Sequence, residues 1–273
     1  MKVAAKGLIF DVRVGGPEGG RPVLLLHGFP QHAGMWDAVV PALHDAGLRT
    51  FAPDQRGYSP GARPSDVDSF RMANLVDDVV ALLDALELPA VDLVGHDWGA
   101  IVGWHLAGQC PDRVRTLTAV SVPHPMAAIL ARRIDDQKER SSYINLFAME
   151  GKAEDVLLAD DARRLRAIYA PLPSDLAERY ARPLLDRDAL TGALNWYRRL
   201  GRVELGPVAV PTTYVWGTGD LAIGPAAARG CAQFVAPGVD YRFVELDGVS
   251  HWVPDEAPDL VAMEILARVA TDG

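Results

Sequence analysis

Three polar residues, Asp97, Asp220 and His251, each stand just after a run that reads as a β-strand, and their types make up a nucleophile, an orienting acid and a base. The first lies in Leu93-Val94-Gly95-His96-Asp97-Trp98-Gly99-Ala100, an apolar strand, a G-x-D-x-G turn and a helix with no loop between. This is the shape of the G-x-S-x-G turn that presents a nucleophile, with Asp in the serine position. Glycines on either side let strand and helix approach closely around a strained central residue. Asp is also favoured at helix N-caps, so the turn by itself does not decide between a nucleophile and a cap.

Further pieces decide it. His27-Gly28-Phe29-Pro30 closes an earlier apolar strand and offers the Phe29 N–H as one oxyanion donor, with the Trp98 N–H as the other. Val215-Trp216-Gly217-Thr218-Gly219-Asp220 is a strand running into a Gly-rich turn, and Gly248-Val249-Ser250-His251-Trp252 follows the last strand. The chain order Asp97, Asp220, His251 matches the order nucleophile, acid, histidine of sites built on such turns. His27 and His96 flank the site and read as structural, while Asp54, Arg56 and Gly57 fit a supporting loop. The histidines are scattered without ligand spacing, so neither a metal nor an organic cofactor is expected.

The elements that must place these residues alternate. Strand-like runs are expected at Leu8–Val14, Val23–His27, Thr50–Pro53, Val91–Val94, Leu117–Val122, Thr213–Trp216 and Tyr241–Leu246. Helical spacing is read over Phe70–Leu86, Trp98–Ala107, 226–234 and 256–269. Such alternation implies an α/β protein with a mostly parallel sheet and helices on both faces. Between His124 and about Leu205 strand-like runs disappear, and charged helical stretches such as Ala131–Arg140 and Asp160–Ile168 take over. The chain is therefore divided into a first core part at 1–123, an inserted helical cap at 124–205 and a second core part at 206–273. The cap falls at the carboxyl edge of the sheet, where such folds take ligands.

Composition excludes several classes. A net charge of −9, with 27 basic and 36 acidic residues, opposes nucleic-acid binding. No run approaches the roughly 18 apolar residues of a membrane span. The first residues lack a signal-peptide pattern, and two distant cysteines, Cys110 and Cys231, fit a reducing, cytoplasmic compartment. Oligomeric state is open, a homodimer included.

At this point the chain resembles the α/β-hydrolase-fold epoxide hydrolases over essentially its full length. The residues that carry the resemblance are HGFP (27–30), DQRGYSP (54–60), VGHDWGA (94–100), SVPHP (121–125), WGTGD (216–220) and GVSHWVPDEAP (248–258). Haloalkane and fluoroacetate dehalogenases with an Asp nucleophile share much of this core. The resemblance implies that two cap tyrosines assist ring opening, and the segments around Tyr143 and Tyr197 look like those that carry them. Tyr169 and Tyr180 read as packing residues. Phe29 stands where haloalkane dehalogenases commonly carry Asn, and Trp98 and Ile101 follow Asp97 where fluoroacetate dehalogenases carry arginines.

The activity implied is cofactor-free hydrolysis of an epoxide to a vicinal diol. Asp97 forms an alkyl ester, and water activated by His251 and Asp220 breaks it. Phe147 and Trp252 would help to line an apolar pocket for a small neutral epoxide and water. A haloalkane dehalogenase and a retired, ligand-binding member of the fold are the alternatives.

Overall fold

The computed structural model of the protein describes residues 1–271. Eight strands form one sheet: β1 (Lys2–Ala5), β2 (Leu8–Gly15), β3 (Arg21–Leu26), β4 (Leu48–Pro53), β5 (Val91–His96), β6 (Val114–Val120), β7 (Thr212–Gly217) and β8 (Tyr241–Leu246). Their spatial order is β1-β2-β4-β3-β5-β6-β7-β8. The first two strands pair antiparallel, and β2 is antiparallel to β4; from β4 to β8 every pairing is parallel. The carboxyl ends of β3, β5, β6, β7 and β8 therefore share one edge, and His27, Asp97, Ser121, Asp220 and His251 all follow those ends.

The parallel strands are apolar on both faces, as a sheet covered on both sides requires. Leu24, Leu26, Val91, Leu93, Leu117, Tyr214 and Trp216 face one core. Val23, Leu25, Val94, Val120 and Val215, alternate residues of the same strands, face the other. The first core is covered by helices α2 (Met72–Ala85) and α3 (Trp98–Gln109), the second by α1 (Val40–Asp45) and α12 (Pro258–Ala270). In α12 the buried residues Val261, Ile265 and Val269 recur every four positions. Burying each stabilises the fold by about 2 kcal/mol.

Between β6 and β7 the chain forms α4 (Pro125–Ala131), α5 (Gln137–Arg140), α6 (Tyr143–Phe147), α7 (Lys152–Ala167), α8 (Ser174–Ala181) and α9 (Arg187–Arg198). This insertion has an ion pair of its own, Glu154–Arg198, whose side chains are 2% and 4% exposed. Removing one partner of such a pair costs about 3–5 kcal/mol because the other is left buried and uncompensated.

Several elements depart from the sequence expectation. Strand β1, only four residues long and not among the expected strands, alternates exposed and buried residues, with Val3 and Ala5 in the first core, and pairs with β2. The stretch Ala131–Arg140 is not one helix, because Asp135 turns out of it: its carboxylate accepts from Gln137 N and from Ala226 N, each at 3.0 Å. The expected helix at Asp160–Ile168 belongs to the longer α7. That helix is broken at Ala159–Ala162, where Asp160, Asp161 and Ala162 take left-handed φ values of 51°, 55° and 53°. Phe70, expected to open α2, instead closes a 3₁₀ turn, Val67–Phe70, and α2 starts at Met72. The expected helix over 226–234 is α10 (Pro225–Arg229) followed by a 3₁₀ stretch from Gly230. The last expected helix, 256–269, is α12, which starts at Pro258, and a separate short helix, α11 (Val253–Glu256), precedes it.

Two glycines set how closely these layers meet. A Cβ at Gly99 would lie 2.2 Å from Leu26 O, and one at Gly95 would lie 2.3 Å from Gly99 O. Gly99→Ala must push α3 away from β3 and is expected to destabilise the protein by about 3 kcal/mol. Urea unfolding of the two proteins measures this, and an unchanged midpoint would contradict the contact.

Candidate active site

Asp97 occupies the single residue between β5 and α3, with φ 51° and ψ −117°. A non-glycine residue held there stores about 1–3 kcal/mol of backbone strain. Its amide donates to Val120 O at 3.3 Å, which ties the turn to the neighbouring strand. Its carboxylate is met by the loop after β3: Phe29 N donates to Asp97 Oδ1 at 2.7 Å. Gly28 lets that loop pass, since a Cβ there would lie 2.4 Å from Asp97 Oδ1.

The loop after β8 brings His251 to the other oxygen. His251 Nε2 lies 3.5 Å from Asp97 Oδ2, and Nδ1 lies 2.8 Å from Asp220 Oδ2. Asp220 Oδ1 accepts from Ala222 N at 2.7 Å and from Ile223 N at 3.0 Å, so that carboxylate is fixed at both oxygens. The main chain at His251 is fixed too: its carbonyl accepts from Ser121 Oγ at 2.7 Å and from His96 Nε2 at 2.9 Å. Ser121 stands in the SVPHP run, but its link to His251 carried no signal in the sequence, because no motif says where that hydroxyl points.

The charges are arranged as an alternation of carboxylate, imidazole and carboxylate. Burial pulls the His251 pKa down, but the charge and hydrogen bond of Asp220, with help from Asp97, outweigh it and raise the value to about 10. Burial pushes the Asp97 carboxyl up, yet the hydrogen bond and charge of His251, with the Trp98 N–H, hold it below the ordinary carboxylate range. His96 itself is pushed by burial down to about 4 and stays neutral, with Nε2 donating to the His251 carbonyl. His27 is likewise pushed by burial to about 4, and its Nε2 accepts from Gln55 N at 3.0 Å.

Asp97 and His251 open into a cavity of about 700 Å³. Its wall includes Phe29, Tyr143, Phe147, Tyr197 and Trp252 from the sequence reading, together with Arg140, Ile168, Pro171 and Leu221, which no motif marked. The Trp98 side chain is not on that wall; its ring packs edge-on against Tyr197 and Trp196. Tyr197 is seated by α9 at the centre of an aromatic cluster, 5.1 Å from both Phe29 and Phe147 by ring centroid. Tyr143, on α6, is 36% exposed, with its ring 6.2 Å from that of Tyr197. Burial first, and then the Asp97 and Asp220 charges, raise the Tyr143 phenol. Burial first, and then Tyr143 and Asp97, raise that of Tyr197.

The DQRGYSP loop supports both the Phe29 loop and the insertion. Asp54 accepts from Ala33 N at 2.8 Å, and Gln55 Nε2 donates to His27 O. The Arg56 guanidinium pairs with buried Asp78 at 2.6 Å. A Cβ at Gly57 would lie 2.5 Å from Gly192 O, so α9 sits directly on the loop's main chain, and Trp196 Nε1 donates to Arg56 O. Tyr169 and Tyr180 do more than pack: Tyr169 Oη donates to Pro30 O and Tyr180 Oη to Asp255 Oδ1, each at 2.6 Å.

With parallel strands converging on one edge, a buried aspartate in the tight turn between β5 and α3, and a run of helices between β6 and β7, the chain belongs to the α/β hydrolase fold family, which it matches over residues 21–258. It is 32% identical to epoxide hydrolase A of Mycobacterium tuberculosis, over 97% of this chain and 95% of that one. It is 33% identical to the AB hydrolase superfamily protein YfhM of Bacillus subtilis, with the same coverage. Among solved structures, epoxide hydrolase A of Mycobacterium thermoresistibile superposes with a TM-score of 0.85 at 27% identity, covering 99% and 97% of the two chains. A variant of an epoxide hydrolase from Bacillus megaterium, solved with its product (R)-3-[1]naphthyloxy-propane-1,2-diol, superposes with a TM-score of 0.88 at 25% identity, covering 99% and 100%. Among the described residues no group of three His, Cys, Asp or Glu is arranged to hold a metal ion, and no helix is long and apolar enough to cross a membrane.

The raised pKa of His251 has a consequence for stability. A group whose folded pKa lies above its ordinary value of 6.5 stabilises the fold fully below that pH and loses its contribution as pH rises through about 10. The difference in melting temperature between the wild type and His251→Gln should therefore shrink from pH 6 to pH 10. A difference that grows over this range would contradict the ion pairing.

Proposed function

We propose that the protein is an epoxide hydrolase that converts a small, largely apolar epoxide to a vicinal diol through an ester on Asp97. The observation that carries this reading is the pair of phenols, Tyr143 and Tyr197, on the wall of the cavity into which Asp97 opens. A halide leaves as a weak base and asks little of its surroundings. An epoxide oxygen leaves as an alkoxide, a stronger base than phenolate, and gains from two O–H donors. Raised phenol pKa values keep both donors protonated in the resting site. The similarity to proteins named epoxide hydrolases supports the same reading.

In the first step the Asp97 oxygen not held by Phe29 attacks a ring carbon. The carbon–oxygen bond of the ring breaks, and the departing oxygen takes a proton from the tyrosine pair. Ester formation removes the Asp97 charge, so His251 loses one of the two carboxylates that raise its pKa. Its proton then returns to the phenolate through water, which leaves His251 neutral. In the second step His251, oriented by Asp220, takes a proton from water, and the hydroxide formed attacks the Asp97 carboxyl carbon. Phe29 and Trp98 N–H groups hold the oxyanion, each worth on the order of 3 kcal/mol in the transition state. Collapse breaks the ester carbon–oxygen bond, the departing alkoxide takes the proton of the added hydroxyl, and the diol leaves with the carboxylate and the imidazolium restored. Residues 124–205 act here as a cap over the site, supplying both phenols and, with Phe147 and Trp252, an apolar surround.

Two measurements test this. In a single turnover in ¹⁸O-water, label should enter the carboxylate of Asp97, and Asp97→Asn should form no diol. Halide release from bromoalkanes with no diol from styrene oxide would overturn the assignment. Tyr143→Phe and Tyr197→Phe should each lower kcat/KM by about 10²-fold, while His251→Gln should accumulate an adduct on Asp97 visible by intact mass. A Tyr143→Phe, Tyr197→Phe double variant with wild-type rates would remove the ring-opening role.

A further inference from the structure

The loop that carries Asp220 is gripped from two sides. On the inner side the Asp220 carboxylate turns back on its own chain and accepts from Ala222 N and Ile223 N. On the outer side stands α5. Gln137 Nε2 donates to Ala222 O at 2.8 Å, and Gly224 N donates to Gln137 Oε1 at 2.8 Å. The second amide hydrogen goes to Ser141 Oγ at 3.0 Å, and that hydroxyl donates to Gln137 O at 2.9 Å. Gln137 is 1% exposed, so a glutamine lies buried with every donor and acceptor of its amide used. Only one orientation of the amide satisfies this set: flipped, it would oppose NH₂ to the Gly224 N–H and its carbonyl to that of Ala222. Two charge-assisted grips flank it, Arg140 Nη1 to Asp220 O at 2.7 Å and Ala226 N to Asp135 Oδ2 at 3.0 Å.

Ala222 joins the two sides. Its N–H holds Asp220, and its carbonyl is held by Gln137. Freeing the carbonyl lets the peptide planes on either side of Ala222 rotate, and the amides that aim Asp220 Oδ2 at His251 move with them. A buried amide left unpaired would also draw water into the loop.

We propose that Gln137 is a positioning residue for Asp220, so that the helical insertion, through α5, sets the hydrogen bond between the acid and His251. The inference rests on the reading of His251 as the base for ester hydrolysis. In that scheme ring opening uses Asp97 and the two tyrosines, whereas ester breakdown needs a basic, correctly turned imidazole. Loss of Gln137 therefore falls on the second step. The titratable and charged groups facing His251 are Asp220, Asp97 and His96, with Arg140 and Tyr143 on the same cavity wall, and Gln137→Met alters none of them directly.

The test titrates His251 by imidazole ¹⁵N NMR in wild type, Gln137→Met and Ser141→Ala, with rapid-quench measurement of the Asp97 adduct alongside. Gln137→Met should lower the His251 pKa by about one unit and slow adduct breakdown about tenfold. Adduct formation should stay within about twofold of wild type, which also shows that the site is folded. Ser141→Ala, which removes only the partner of the amide that lies off the loop, should leave the titration at the wild-type value. Gln137→Asn keeps the amide but draws it back by one methylene, and should give a smaller shift of the same sign. An unchanged His251 titration in Gln137→Met, or an equal shift in Ser141→Ala, overturns the inference. Absence of any Asp97 adduct in the wild type would overturn the epoxide reading instead, and the NMR titration would still decide the role of Gln137.

Discussion

A carboxylate shut away from bulk water must be kept ionised, and that one requirement organises this molecule. Asp97 is 7% exposed, and burial by itself pushes its carboxyl pKa up, toward the protonated form. The groups that prevent this come from separate places in the chain. Phe29 arrives from the loop after β3, Trp98 from the first turn of α3, and His251 from the loop after β8. Only a sheet whose strands end along one edge can bring them together. The strained backbone at Asp97 and the glycine-thin contacts around it follow from the same need, because the donors must reach a single side chain from several directions.

In the mechanism proposed above, charge also gives the site its order of events. With both carboxylates ionised, His251 is held protonated and takes no proton from water. In the scheme proposed above, forming an ester on Asp97 cancels one of those two charges. The base is released only once there is an ester for it to work on. Asp220 serves throughout as the fixed half of this arrangement, with both of its oxygens engaged.

Much of this was legible in the sequence because the core of such a protein is written in local patterns. The strands on either side of Asp97 are short apolar runs, and the Gly residues at 28, 95 and 99 mark places where backbones nearly touch. Asp97, Asp220 and His251 are brought together by chain order at strand ends, a rule of topology that needs no coordinates. What stayed hidden has no local pattern. The hold of Ser121 on the His251 carbonyl joins residues 130 positions apart. Arg140, Ile168 and Pro171 reach the cavity through the packing of the inserted helices, and Leu221 from the loop after β7; the break between α4 and α5 is set by Asp135 bonding elsewhere. Tyr169 and Tyr180 looked like filler because a partner such as Pro30 O leaves no trace in composition.

The insertion holds the core largely by its main chain. Trp196, Tyr169, Arg140 and Gln137 donate to the carbonyls of Arg56, Pro30, Asp220 and Ala222. A carbonyl is present whatever side chain its residue bears. Substitutions that preserve the loop path can therefore alter the rim of the cavity without unseating the helices above it. Leu221, 79% exposed between Asp220 and Ala222, is such a position. An architecture of this kind lets the choice of substrate drift during evolution, or be redirected by engineering, while the reacting groups below keep their places.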